Sequence, residues 1–99
     1  MKAIKELIKR IDEELADAQC YAEKYVETKA EGQNEWASNF RTMAENELSH
    51  ATKMHEYAVM KIDKINQVYK PKQEMLDKWE KAHKEYVDQA AWIKQMLTM

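Results

Sequence analysis

Glu47 and His50 are the residues of this sequence best placed to do chemistry. They stand three apart within Glu45-Asn46-Glu47-Leu48-Ser49-His50, in the middle of a long stretch with helical periodicity. On an α-helix, residues at i and i+3 project from one face. That face also carries Trp36, Phe40, Met43 and Met54, at steps of three and four. A carboxylate and an imidazole therefore stand where a core helix should be apolar. An ionised carboxylate is very costly to bury alone, and a metal ion is one candidate for the compensating charge. The pairing by itself decides little. Thirteen of the 99 residues are Glu, so chance puts a Glu three before a given His about one time in eight. Two of the three His have one, and the metal reading needs a further residue.

That residue comes from the elements that must position the pair. A first helix is expected from about Lys2 to Ala30, with Gly32 as its stop signal. Its inward line reads Leu7, Ile11, Glu14, Ala18, Tyr21, Tyr25, the seam of an antiparallel bundle. Ile4, Ile8 and Leu15 widen the stripe, and Glu14 is the one charged residue on the line. Asn34 is the expected N-cap of a second helix, with Glu35 favourable in its first turn. Nothing then breaks the helix before Pro71, which gives about 36 residues and roughly 54 Å. Its distal part should bury Ala58, Ile62 and Ile65, while Lys61, Lys64 and Lys70 suit the negative end of the helix dipole as solvated capping charge. Pro71 fits the first turn of a third helix running to about Leu97. The line of that helix is Leu76, Trp79, His83, Tyr86, Ala90, Ile93, Leu97. No repeat, linker or low-complexity tract interrupts residues 1–99, which read as one domain.

Folding the first two helices antiparallel about Gly32 sets residue n opposite residue 64−n. Glu14 then lies opposite His50, with Glu47 within a turn, so the three converge at one height. Glu80 and His83 repeat the Glu-x-x-His spacing on the third helix. Folding about Lys70 puts residue 80 opposite residue 60, roughly 20 Å from the level of Glu47, so the two pairs should not meet within one chain.

Composition narrows the remaining choices. One Gly and one Pro are too few for a multi-stranded β fold, and Ala, Glu, Lys, Met and Gln favour helix. The fold expected is all-α: a long antiparallel hairpin plus a third helix. One Cys cannot form an internal disulfide, which suits a reducing cytoplasm. A formal charge of −2 argues for neither nucleic acid nor an anionic membrane as partner. No apolar run approaches a membrane span, and Glu6 falls too early for a secretory signal.

A Glu from one helix and a Glu-x-x-His from the next make half of a di-iron carboxylate site. Two chains about a two-fold axis would supply both halves, and four carboxylates match two divalent cations. Carboxylate and imidazole donors suit iron or manganese, with zinc an alternative. The residues themselves carry a resemblance. Glu14-Leu15-Ala16-Asp17-Ala18-Gln19-Cys20-Tyr21 looks like the first-helix signature of the ferritin-like superfamily, and Glu47-Leu48-Ser49-His50 resembles its second-helix signature. The spacing is close to that of rubrerythrins, and the size and single hairpin are more like encapsulated ferritins. The resemblance covers roughly residues 8 to 60. It implies iron binding by Glu14, Glu47 and His50 with Tyr21 nearby, a ferritin-like four-helix bundle formed by dimerisation, and oxidation of Fe(II).

Other residues have plainer readings. His83 fits a core-edge imidazole bonded to a neighbour better than it fits a ligand with Glu80. His55 has Thr52 three residues before it and is expected at a solvent rim, with a place behind the metal ligands as the alternative. Tyr21 reads as a core aromatic whose hydroxyl needs a partner, Cys20 as a solvated thiol, and the Met residues as flexible filler. Trp36, Trp79 and Trp92 read as packing or interface anchors. Besides the metal-binding homo-oligomer, a metal-free helical interaction module is the second function the sequence allows.

Overall fold

The computed structural model describes residues 2–99. It contains three helices, α1 (Lys2–Ala30), α2 (Asn34–Val68) and α3 (Gln73–Met96), and no strand among the described residues. Together they form a rod of 55 × 18 × 17 Å.

The α1–α2 turn is closed by Gly32 at φ 77°. The Gly32 N–H donates to the Lys29 carbonyl (3.1 Å) and the Gln33 N–H to the Thr28 carbonyl (2.9 Å). This is a Schellman arrangement, which satisfies the last carbonyls of α1 and requires a positive φ at the glycine position. Asn34 is not the N-cap that the sequence suggests. Gln33 holds that position without a side-chain bond, and its backbone carbonyl accepts from the Ala37 N–H (2.9 Å). The Schellman turn delivers the chain straight into α2, so Asn34 is already helical.

Pro71 likewise falls outside the first turn of α3. Tyr69 is extended at φ −158°, ψ 162°, and Lys72 at φ −64°, ψ 141°. Pro71 lies in this extended connector, where its ring is buried. The residue before a proline disfavours the helical conformation, and α3 starts once Met75 and Leu76 can donate to the Lys72 carbonyl.

α3 runs back antiparallel to α2 and parallel to α1. The Gln89 amide donates to the Gln19 side chain of α1 (3.1 Å), while Thr52 and Tyr86 share a hydroxyl bond between α2 and α3 (3.0 Å). The core joins Ile4, Ile11, Leu15, Ala18, Ala22 and Tyr25 of α1 to Ala37, Ala44, Leu48, Ala51, Ala58 and Ile62 of α2, with Met75, Trp79, Ala90, Ile93 and Met96 of α3. Alanines at the α1–α2 contact let the two backbones approach closely.

The buried stripes are rotated from the lines read in the sequence. On α1, the outer positions Ile4 and Leu15 are fully buried, while Leu7, Glu14 and Tyr21 are half-buried at the edge. On α2, the line Trp36, Phe40, Met43, Met54 is not core within one chain. Phe40 and Met54 are half-buried, Trp36 is 59% exposed and Met43 is exposed. Ile65 is half-buried beside the buried Ala58 and Ile62. Among the described residues, no helix is long and apolar enough to cross a membrane.

Candidate metal centre

The rotation of the stripes sets the character of the site: Glu14, Glu47 and His50 sit at the margin of the core rather than inside it. The register of the hairpin puts Glu14 level with His50. One ligand atom from each of the three residues lies within 4.8 Å of the other two. His50 Nδ1 is 3.6 Å from Glu14 Oε2 and 3.9 Å from Glu47 Oε2. The Glu14 side chain is 14% exposed, that of Glu47 25% and that of His50 58%. The two acids are largely sheltered and the imidazole opens outward. Arg10, one turn before Glu14, leaves its guanidinium 3.8 Å from Glu14 Oε1.

These groups are not balanced electrostatically. Glu14 Oε2 is buried and accepts no hydrogen bond, and such an orphaned acceptor normally finds a partner. Its neighbour Glu47 has its carboxyl raised above the usual value. A hydrogen bond with Glu14 is the first cause, followed by burial and the Glu14 charge, with Asp17 adding and His50 opposing. Two carboxyls can share a hydrogen bond only when one holds a proton. With both ionised, Glu14 Oε2 is left without a donor and the pair repels. A proton or a cation held between the two carboxyls would relieve that repulsion. A sheltered carboxylate pair beside an imidazole nitrogen is a donor set that fits iron, manganese or zinc.

Tyr21 is two turns along α1 from Glu14. Its ring stacks on Phe40 with centroids 6.5 Å apart, and no hydrogen bond joins its hydroxyl to Glu14 or Glu47 among the described residues. Cys20 is exposed. Glu80 is exposed and stays at its own level. The Thr52–Tyr86 and His55–His83 contacts set residue 80 opposite about residue 58, roughly 16 Å from the level of Glu47.

His55 departs most from its expected place. It is half-buried against α3, not at a solvent rim. Its Nε2 lies 2.7 Å from His83 Nδ1, so the neighbour that bonds His83 is His55. The His55 ring stacks on Tyr86 (centroids 4.1 Å, interplanar 10°) and on Trp79 (5.3 Å). The missed signal was in the register. His55 and His83, like Thr52 and Tyr86, sum to 138, so two polar pairs fall level once the connector is shortened by Pro71.

No protein-family model, characterised protein or solved structure matches this chain.

Proposed function

We propose that this chain is a ferritin-like metal-binding protein whose complete site forms between two copies. The observation that carries the reading is the buried, donorless Glu14 Oε2 facing Glu47 and His50. Glu14, Glu47 and His50 of two chains would hold two iron ions as a four-helix bundle of paired hairpins, with manganese or zinc as alternatives. Bound iron supplies the electrons for reduction of dioxygen or peroxide, which makes Fe(II) the substrate of a ferroxidase.

The chain's own residues support this reading. Two copies bring four carboxylates, matching two divalent charges. His50 binds a cation only as the neutral imidazole. The Arg10 guanidinium, 3.8 Å from Glu14 Oε1 on an exposed arm, would be free to give up Glu14 to a cation. The second copy is supported by the face around the site. Trp36, Met43 and Tyr57 are all exposed, and with His50 they form a row at seven-residue steps along α2. An apolar row bracketing an exposed ligand suits a self-complementary two-fold interface.

The test is metal analysis after anaerobic Fe(II) exposure and desalting, with Glu47→Ala as control. The expected result is about one iron per chain in the wild-type protein and loss in the variant. Below about a tenth of an equivalent, the metal reading falls and a metal-free interaction module replaces it. Fe(II) oxidation no faster than buffer removes the ferroxidase activity alone. Sedimentation equilibrium with and without metal reads the dimer directly.

A further inference from the structure

The end of the rod where α2 gives way to α3 holds a cavity of about 480 Å³. Four lysines surround it from three elements: Lys5 of α1, Lys70 and Lys72 of the connector, and Lys78 of α3. Buried Pro71 and Met75 form its apolar floor, and the exposed Tyr69 ring stands at its edge.

The charge here is unbalanced in the direction opposite to the carboxylate site. Glu74 is the one acid lining the cavity, and it is engaged by Lys78 at 3.4 Å. Lys5, Lys70 and Lys72 make no ion pair among the described residues. The groove between α1 and α3 that shares Lys5 and Lys78 adds Lys81, which is held loosely by Glu85 at 4.0 Å. Five lysines against two glutamates leave a local excess of three positive charges in a chain whose formal charge is −2.

Capping of the α2 dipole does not account for this cluster. The last turn of α2 holds no basic residue, so Lys61 and Lys64 fall short of the capping place expected of them. Of the cavity lysines, only Lys70 and Lys72 lie beside that helix end. Lys5 comes from the other end of the sequence, and Lys70 and Lys72 follow the end of α2. Convergence of like charges around a recess costs energy that a bound anion returns. The volume falls in the range of small-molecule sites. Lysine serves as a point-charge partner of phosphate, and the apolar floor offers a surface for a ring.

We propose that this cavity binds a small molecule carrying two or more clustered phosphates, of nucleotide size. The site lies roughly 14 Å along α1 from Glu14 and is independent of the metal reading. Titration calorimetry of the metal-free full chain with ATP, pyrophosphate and adenosine tests it. Saturable binding of one ATP per chain is expected, with pyrophosphate weaker and adenosine undetectable. Lys70→Glu with Lys72→Glu should weaken ATP at least tenfold at unchanged helical content, and raised salt should weaken it further. Lys53→Glu with Lys94→Glu makes the same charge change elsewhere and should alter affinity less than twofold. Glu47→Ala should bind ATP as the wild type does. Equal loss in the two double variants, or no saturable binding, overturns the proposal. So does capture by phosphatidylglycerol vesicles without binding of ATP or pyrophosphate.

Discussion

His50 and His55 lie five residues apart on α2, and five residues turn a helix by roughly 140°. The same step separates Glu14 from Gln19 on α1. The hairpin therefore shows two flanks. One carries Glu14, Glu47 and His50 and faces away from α3. The other carries Gln19 and His55 and is covered by α3. On the covered flank, three polar pairs close across the helices, Gln19 with Gln89, Thr52 with Tyr86 and His55 with His83, although burial and the Glu85 charge raise the Asp12 carboxyl there. On the open flank, a carboxylate oxygen is buried unanswered. A closed polar network contributes to holding a fold together, whereas a half-satisfied one costs stability until something binds. The first flank closes within the chain, and the second leaves an acceptor open.

The comparison predicts effects of very different size and of opposite sign. The largest is expected from His55→Ala. It removes the stacking on Tyr86 and Trp79 and leaves His83 unpaired, costing about 2–3 kcal/mol in urea unfolding. A loss near that of a surface substitution would show that α3 does not depend on this cluster. The pH response comes next. Burial holds the His55 imidazole below its usual value of 6.5, with His83 adding and Glu56 opposing. The unfolded chain then takes up the proton more readily than the folded one. Stability is full above about pH 6.5 and is lost as pH falls through the lower folded value, which urea midpoints from pH 8 to 5 would trace. A His55→Phe variant should flatten that slope.

Glu47 should run the other way. Its carboxyl is raised above 4.5, so the folded chain holds that proton more firmly than the unfolded one. In metal-free protein, ionisation of Glu47 costs stability as pH climbs from about 4.5 through the raised value. Glu14→Gln should consequently stabilise the metal-free protein at neutral pH, by about 0.5–1 kcal/mol. It should also abolish any rise in Tm on adding Fe(II), measured anaerobically by circular dichroism. A Tm gain that survives the substitution would move metal binding elsewhere. The smallest change is expected from His50→Ala in the metal-free protein, within about 0.5 kcal/mol of wild type. An exposed imidazole against two loosely placed acids contributes little until a cation joins them.

Much of this arrangement was legible in the sequence, and the omissions have physical causes. Gly32 and the absence of breakers between Asn34 and Pro71 marked the hairpin, and the 64−n register brought Glu14 to His50 because both helices are regular. Periodicity did not show which part of a wide apolar stripe faces inward. Alanines 18, 22, 44, 51 and 58 claimed the α1–α2 contact because small side chains permit the closest approach. That turned the bulkier Leu7, Tyr21, Trp36 and Met43 toward the edge. His55 was misplaced for the same reason: a rim position was inferred from its own helix, and the rings covering it arrive from α3. The lysine-lined cavity could not be seen at all, since it depends on Lys5 meeting residues 64 or more positions away.

The Schellman turn at Gly32 has a reach beyond the three residues it spans. Adding or deleting a single residue there would slide one long helix past the other by roughly 1.5 Å and spin it by roughly 100°. His50 would swing out of line with Glu14, although neither had been altered. The glycine thus works as a length gauge for the proposed centre, about 18 positions away on either arm of the hairpin, and tolerance to insertion at that bend should be far lower for metal uptake than for folding.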